Sequence, residues 1–240
     1  MIRFLNLFAK RPAPLELTPA HETRRVSTKL TPGYTARRIR ELNIYSQIVS
    51  YRLTPSEIRA INPAGIILSG GPASVYDENA PHCDRGIYDL DIPILGICYG
   101  LQLIAHHLGG RVVPGTHREY GPATLNVVEP RPLFNDTPAK QRVWMSHGDR
   151  VLELPDGFQP VATTANSEFA AVAHPTRIYG LQFHPEVVHT PNGTDILSNF
   201  CYGVCGCKGE WTMKSFIERS IGEIREQVGG GKVILGLSGG

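Results

Sequence analysis

The 240-residue chain contains no apolar run approaching the roughly 18 residues of a membrane span, so it is expected to make no membrane contact. It also lacks a secretory start. MIRFLNLFAKRPAP is apolar for only a few residues before Lys10, Arg11 and two prolines interrupt it, and it makes a poor amphipathic transit helix. A disulfide framework is missing too, because the five cysteines (Cys83, Cys98, Cys201, Cys205, Cys207) are an odd number behind no signal peptide. Free thiols in a reducing, cytoplasmic setting are the expectation. Zinc spacing is absent: Cys201, Cys205 and Cys207 stand as C-x3-C-x-C without C-x2-C pairs, so no metal is expected and the segment reads as a structural hinge. Finally, there is little net charge. The total is +2, and residues 1–40 hold nine of the 24 basic side chains against two of the 22 acidic ones. The remainder is net acidic, which excludes a basic nucleic-acid-binding body.

What is present is an alternation of buried strands and helices. Residues 10–33 hold four prolines and no sustained period, and read as tail or linker. From Tyr34 onward, YTARRIRELNIY has helical spacing and YSQIVSY reads as a strand. TPSEIRAINP is a short helix with Thr54 and Glu57 placed as a capping box. AGIILSGGP and IPILGIC are continuous apolar strands, the second running into the helix YGLQLIAHHLGG, which stops at Gly109-Gly110. Residues 111–183 offer shorter alternating strands, RVVPG, TLNVVEP, QRVWMSHGD, QPVATTAN, FAAVAHP and RIYGLQFHPE. The pattern predicts an α/β fold, a mostly parallel, doubly wound, flavodoxin-like sheet with an antiparallel extension. MKSFIERSIGEIREQV is amphipathic, and VILGLSGG reads as a strand entering a glycine turn.

Strand–GICYG–helix is the nucleophile-elbow pattern with cysteine in the place of serine. Glycines allow the sharp turn, and Cys98 would project from a strand end at a helix N-terminus, whose N–H groups and partial positive charge favour a thiolate. GICYG by itself also suits an inert core cysteine. FHPE supplies a partner: His184 and Glu186 are two apart beside Pro185, and in extended chain they share a side, so one segment delivers both imidazole and orienting carboxylate. LSGGP, 68–72, leaves a buried strand and would expose backbone N–H groups of the kind an oxyanion hole needs.

GICYGLQ, ILSGGPASVYDENAP, REYG, VWMSHGD, QFHPEVVHT and CGCKGEWTM, in this order, closely resemble the class I, triad-type glutamine amidotransferase domain of GMP synthetases, over about residues 34–240. The resemblance implies that Cys98 attacks the glutamine side-chain amide to form a γ-glutamyl thioester. His184 would then serve as proton carrier and Glu186 as its orienting group. It matches the backbone of Gly71 and Tyr99 to the oxyanion hole. Gln102 and the Ser146-His147-Gly148-Asp149 loop match positions that hold glutamine or connect to the synthetase side. LGLSGG resembles the opening of an ATP-pyrophosphatase domain, with Ser238, Gly239 and Gly240 starting its phosphate loop. The implied organisation is an atypical tail over 1–33, the amidotransferase domain over 34–207, and a linker helix with the start of the second domain over 208–240. Glutamine is the implied substrate and needs no cofactor. ATP, Mg and XMP belong to the synthetase half, and a homodimer is compatible with the pattern.

Two departures stand out. The family opens with an apolar strand and a DFGSQ-type turn directly before the first helix. Here TRRVSTKL precedes it instead; MIRFLNLF could supply a strand, but about 25 intervening residues make an unusually long connection for a compact domain. A replaced N-terminal segment is the expectation. LGLSGG also stops before the aspartate and serine that complete the phosphate loop. The chain therefore reads as cut, with only the glutaminase half-reaction open to it. Other readings are a different γ-glutamyl cysteine hydrolase, or a non-catalytic regulatory module that has lost its first strand.

Overall fold

A computed structural model describes residues 4–9, 32–130 and 132–233. Ser238, Gly239 and Gly240 lie outside the described residues, as do the strand and glycine turn expected around them. The described chain forms β1 (Phe4–Ala9), α1 (Pro32–Glu41), β2 (Gln47–Ser50), α2 (Pro55–Ile61), β3 (Pro63–Leu68), β4 (Ile94–Ile97), α3 (Tyr99–His107), β5 (Arg111–Val127) and β6 (Lys140–Glu153). It continues through β7 (Gln159–Thr163), β8 (Ala171–His174), β9 (Ile178–Leu181), α4 (Gly193–Ser198) and α5 (Met213–Val228).

One nine-stranded sheet, ordered β2-β1-β3-β4-β9-β8-β7-β5-β6, runs through the molecule. Parallel pairing joins β3 to β4 and β4 to β9, and the β5–β8 side is antiparallel throughout. The expected α/β sheet with an antiparallel extension is therefore present. RVVPG and TLNVVEP, which read as two strands, fuse into the single long β5, whose pairing with β6 slips between Pro114 and Glu119.

The apolar strands alternate between two cores. Ile67, Leu95 and Ile97 face the side covered by α1, α4 and Phe200, whereas Ile66, Leu68 and Ile94 face the side covered by α3. Burial on both faces explains why these strands read as unbroken apolar runs. Each fully buried Ile or Leu contributes about 1.5–3 kcal/mol relative to exposure.

β1 fills the place between β2 and β3, antiparallel to both, with Leu5 opposite Val49 and Leu68. Its opening FLNLFA supplies the strand that the sequence set far from α1. Loop-closure entropy grows only with the logarithm of length, so a long connection does not bar such pairing, while filling the gap satisfies two facing strand edges.

Local signals set the helices. The Thr54 side chain accepts from the Glu57 N–H and the Glu57 carboxylate accepts from the Thr54 N–H, closing the capping box of α2. α3 ends as Gly109 turns to φ 97° and Gly110 N–H donates to the Ala105 carbonyl at 2.8 Å. Beyond α4, a π-helical turn (Asn199–Val204) carries Cys201, and Cys205 caps its end, both buried in the α1-side core. There burial raises both thiol pKa values. The Trp211 N–H then donates to the Asn43 carbonyl, so the hinge-like segment docks beside the end of α1.

The far end of α3 is closed by a hydrogen-bonded chain. Since a carbonyl only accepts, His82 donates Nε2–H to Val75 O at 3.0 Å. Its Nδ1 then accepts from His107 Nε2–H at 2.9 Å, and His107 Nδ1 accepts the Tyr88 hydroxyl at 3.2 Å. This chain ties the segment following β3 to the last turn of α3.

Candidate active site

Cys98 sits between β4 and α3 with φ 52° and ψ −104°, a conformation that costs a non-glycine residue of order 1–3 kcal/mol. The positive φ of this turn falls on the cysteine itself, and the glycines that allow the turn do so through close approach. A Cβ on Gly96 would lie 2.6 Å from the Gly100 carbonyl, and one on Gly100 would fall on the Leu68 carbonyl. Only bare backbone lets α3 start this close to β3. Cys98 N–H donates to Leu181 O at 2.7 Å, its thiol lies 3.5 Å from the Ser146 carbonyl, and Gln182 Nε2 approaches the sulfur at 3.9 Å.

The FHPE segment follows β9 immediately. His184 and Glu186 are 3% and 4% exposed, and His184 Nδ1 lies 2.8 Å from Glu186 Oε1. Three neighbours hold the segment: His184 N–H donates to Trp144 O at 3.0 Å, Thr190 Oγ1 donates to His184 O at 2.7 Å, and Arg38 Nε donates to Glu186 O at 3.0 Å. Burial disfavours a charged His184, but the Glu186 carboxylate and hydrogen bonding with Cys98 and Glu186 outweigh it. The imidazole pKa is therefore held well above its ordinary value. Nε2 is buried and has no well-aligned hydrogen-bond partner, although Cys98 acts on the ring. The ring is thus fixed from its Nδ1 side and left adaptable on the side that must exchange a proton.

A cavity of about 750 Å³ opens beside this pair. It is lined by Gly71, Cys98, Gln102, His184 and the Ser146-His147-Gly148-Asp149 turn, together with Pro72–Ser74, Asp77, Pro114, Gly115 and Tyr120. Gly70 packs so tightly that a Cβ there would stand 3.0 Å from His184 Cε1. The Tyr99 side chain turns into the α3-side core, its hydroxyl donating to Pro81 O at 3.2 Å, so only its backbone can serve the pocket. Gln102 Nε2 donates to Asp149 O at 2.7 Å and His147 Nδ1–H donates to the same carbonyl at 3.0 Å, which pins the turn. Asp149 Oδ2 and Arg150 Nε are buried without a hydrogen bond among the described residues.

The structure thus gathers Cys98, His184, Glu186, Gly71, the Tyr99 backbone, Gln102 and Ser146–Asp149 at one end of the parallel strands. Such a set can carry nucleophilic attack, proton transfer and oxyanion binding. Sequence reasoning assigned no role to Glu119, Gln182, Arg38 or Thr190. Glu119 stood within the REYG stretch, Gln182 and Thr190 at the two ends of QFHPEVVHT, and Arg38 within the YTARRIRELNIY helix, so each lay in a segment already singled out.

Residues 34–204 match the family described as glutamine amidotransferase class-I. The glutamine-hydrolysing GMP synthase of Enterococcus faecalis is 54% identical over 205 residues, covering 85% of this chain and 39% of that protein. The protein of the same name from Heliobacterium modesticaldum is 53% identical over 206 residues, covering 85% and 40%. The chain therefore spans about two fifths of the length of these curated relatives. Among solved structures, a GMP synthase component of Thermoplasma acidophilum aligns with a TM-score of 0.65 and 34% identity, covering 78% of this chain and 90% of that one. A glutamine amidotransferase of Methylobacillus flagellatus shares the fold, with a TM-score of 0.53, 23% identity and coverage of 65% and 66%.

Proposed function

Since the chain belongs to the class I glutamine amidotransferase family, we propose that it is the glutamine-hydrolysing part of a GMP synthase, working through a Cys98-His184-Glu186 triad. The observation that carries this reading is the strained Cys98 at the edge of a cavity beside a buried His184–Glu186 pair.

The Cys98 sulfur, as thiolate, attacks the side-chain amide carbon of glutamine. Backbone N–H groups of Gly71 and Tyr99 hold the oxyanion that forms. Protonated His184 gives its proton to the departing nitrogen, and ammonia leaves behind a γ-glutamyl thioester. Water then attacks the thioester carbon, His184 takes its proton, and glutamate departs as the thiolate returns. Glu186 keeps the ring oriented and stabilises its charged form. Gln102 and the Ser146–Asp149 turn position the amino-acid end of glutamine, with the otherwise unpaired Asp149 Oδ2 suited to an ammonium group.

In the longer protein, ammonia passes to a synthetase portion that uses ATP and Mg to aminate XMP. Ser238, Gly239 and Gly240 open its phosphate loop. Cytoplasmic purine biosynthesis is the setting this reading implies. Among the described residues, no helix is long and apolar enough to cross a membrane.

The test is glutamate release from glutamine, with the synthetase portion supplied, for wild type beside Cys98→Ala. Loss of the nucleophile should lower the rate by about 10³-fold or more. Wild-type chain that stays silent under these conditions would defeat the reading.

A further inference from the structure

Glu119 lies on β5, directly across the strand pair from His147 on β6, just past the slip at Pro114/Glu119. Its Oε2 stands 3.0 Å from His147 Nε2, the two side chains being 12% and 5% exposed. The approach is oblique, outside the alignment of a good hydrogen bond. The other ring nitrogen settles the chemistry. His147 Nδ1 faces the Asp149 carbonyl, which can only accept, so Nδ1 carries a hydrogen. If the ring were neutral and Glu119 ionised, a nitrogen lone pair would face a carboxylate in a buried site. One proton must therefore reside between His147 Nε2 and Glu119.

We propose that Glu119 is a positioning residue for glutamine binding, sharing a buried proton with His147 and thereby fixing the Ser146–Asp149 turn. The chain of contacts is short. Glu119 sets the His147 ring, the ring donates to Asp149 O, and Gln102 donates to the same oxygen. The turn so held places Ser146 O 3.5 Å from the Cys98 sulfur and forms one wall of the cavity. Burial is the largest influence on the His147 ring and holds its pKa below the ordinary value, with the nearby Glu119 charge opposing that fall; the placement of the proton rests on the geometry. Because Glu119 acts on the pocket wall and not on the reacting atoms, its loss should weaken binding more than it slows the chemical step. The inference rests on the amidotransferase reading above.

The experiment measures covalent labelling of Cys98 by a glutamine-mimicking electrophile on the whole chain, as rate against reagent concentration. Glu119→Ala should raise the half-saturating concentration about tenfold, the scale of one lost buried charge-assisted hydrogen bond, while the limiting rate falls less than about threefold. Glu119→Met removes the acceptor at similar volume and should behave alike if the alanine variant does not fold. Glu119→Gln can donate its amide N–H to a neutral His147 Nε2 and should return the half-saturating concentration to within about threefold of wild type. Alanine and methionine variants that match wild type overturn the inference, as does a loss confined to the limiting rate. If wild-type Cys98 is neither labelled selectively nor protected by glutamine, the amidotransferase reading falls and takes this inference with it.

Discussion

At its N-terminal end α3 meets Cys98, His184 and His147; at its C-terminal end it carries His107, joined to His82 and Tyr88. Both ends bury imidazoles in hydrogen-bonded company, and one segment, from Gly71 to His82, reaches both. At the far end every ring nitrogen of His82 and His107 has a partner, so the chain is complete and inert. At the near end His184 Nε2 and Asp149 Oδ2 lack aligned partners beside an open cavity, and the backbone of Cys98 is strained. Buried polar groups that are fully paired fix structure, whereas those left unpaired beside a cavity are positioned to act on a ligand.

The largest expected effect comes from closing the near end sterically. Gly100→Ala would drive a methyl into the Leu68 carbonyl, and rigid backbone cannot yield. The expected cost exceeds about 3 kcal/mol in denaturant unfolding, with loss of Cys98 labelling. A fully active, stable variant would break the argument that bare backbone at this point builds the elbow.

The next pair separates the two ends by readout. Glu186→Gln should lower the rate of glutamate release by about 10²–10⁴-fold, with a thermal midpoint near wild type, because the ring loses its charged partner. Tyr88→Phe should do the reverse. It removes the hydroxyl on His107 Nδ1, costing about 1–2 kcal/mol of stability and leaving glutamate release unchanged. If both variants moved the same observable, the contrast between the ends would fail.

The smallest effect is in acid. Burial is the main cause that lowers the His107 pKa, to about 4 from an unfolded value of 6.5. Between those values the folded state binds fewer protons than the unfolded one. Stability from this group is therefore whole above pH 6.5 and is lost as pH falls towards 4. The thermal midpoint of wild type should drop across that window. His107→Gln, which keeps one donor and one acceptor without titrating, should flatten part of the drop.

The near end of this contrast was legible in the sequence, and the far end was not. Apolar runs marked β3, β4 and β9, Thr54 and Glu57 marked the start of α2, and GICYG with FHPE marked the nucleophile and its partner. These features are local: a strand's period, a cap or an i,i+2 spacing depends on a few neighbouring residues. The same local reasoning split β5 in two and left FLNLFA behind a connection that looked unusually long for the first strand.

Residue order alone thus determined the elbow, the His184–Glu186 pair and the alternation that makes a two-faced sheet. Three features were decided only by tertiary structure: β1 running antiparallel between β2 and β3, Glu119 meeting His147, and the His82–His107–Tyr88 chain. Each depends on which distant backbone passes within about 3 Å of a polar atom. That distance follows from how strands pair and helices pack, and sequence spacing does not encode it.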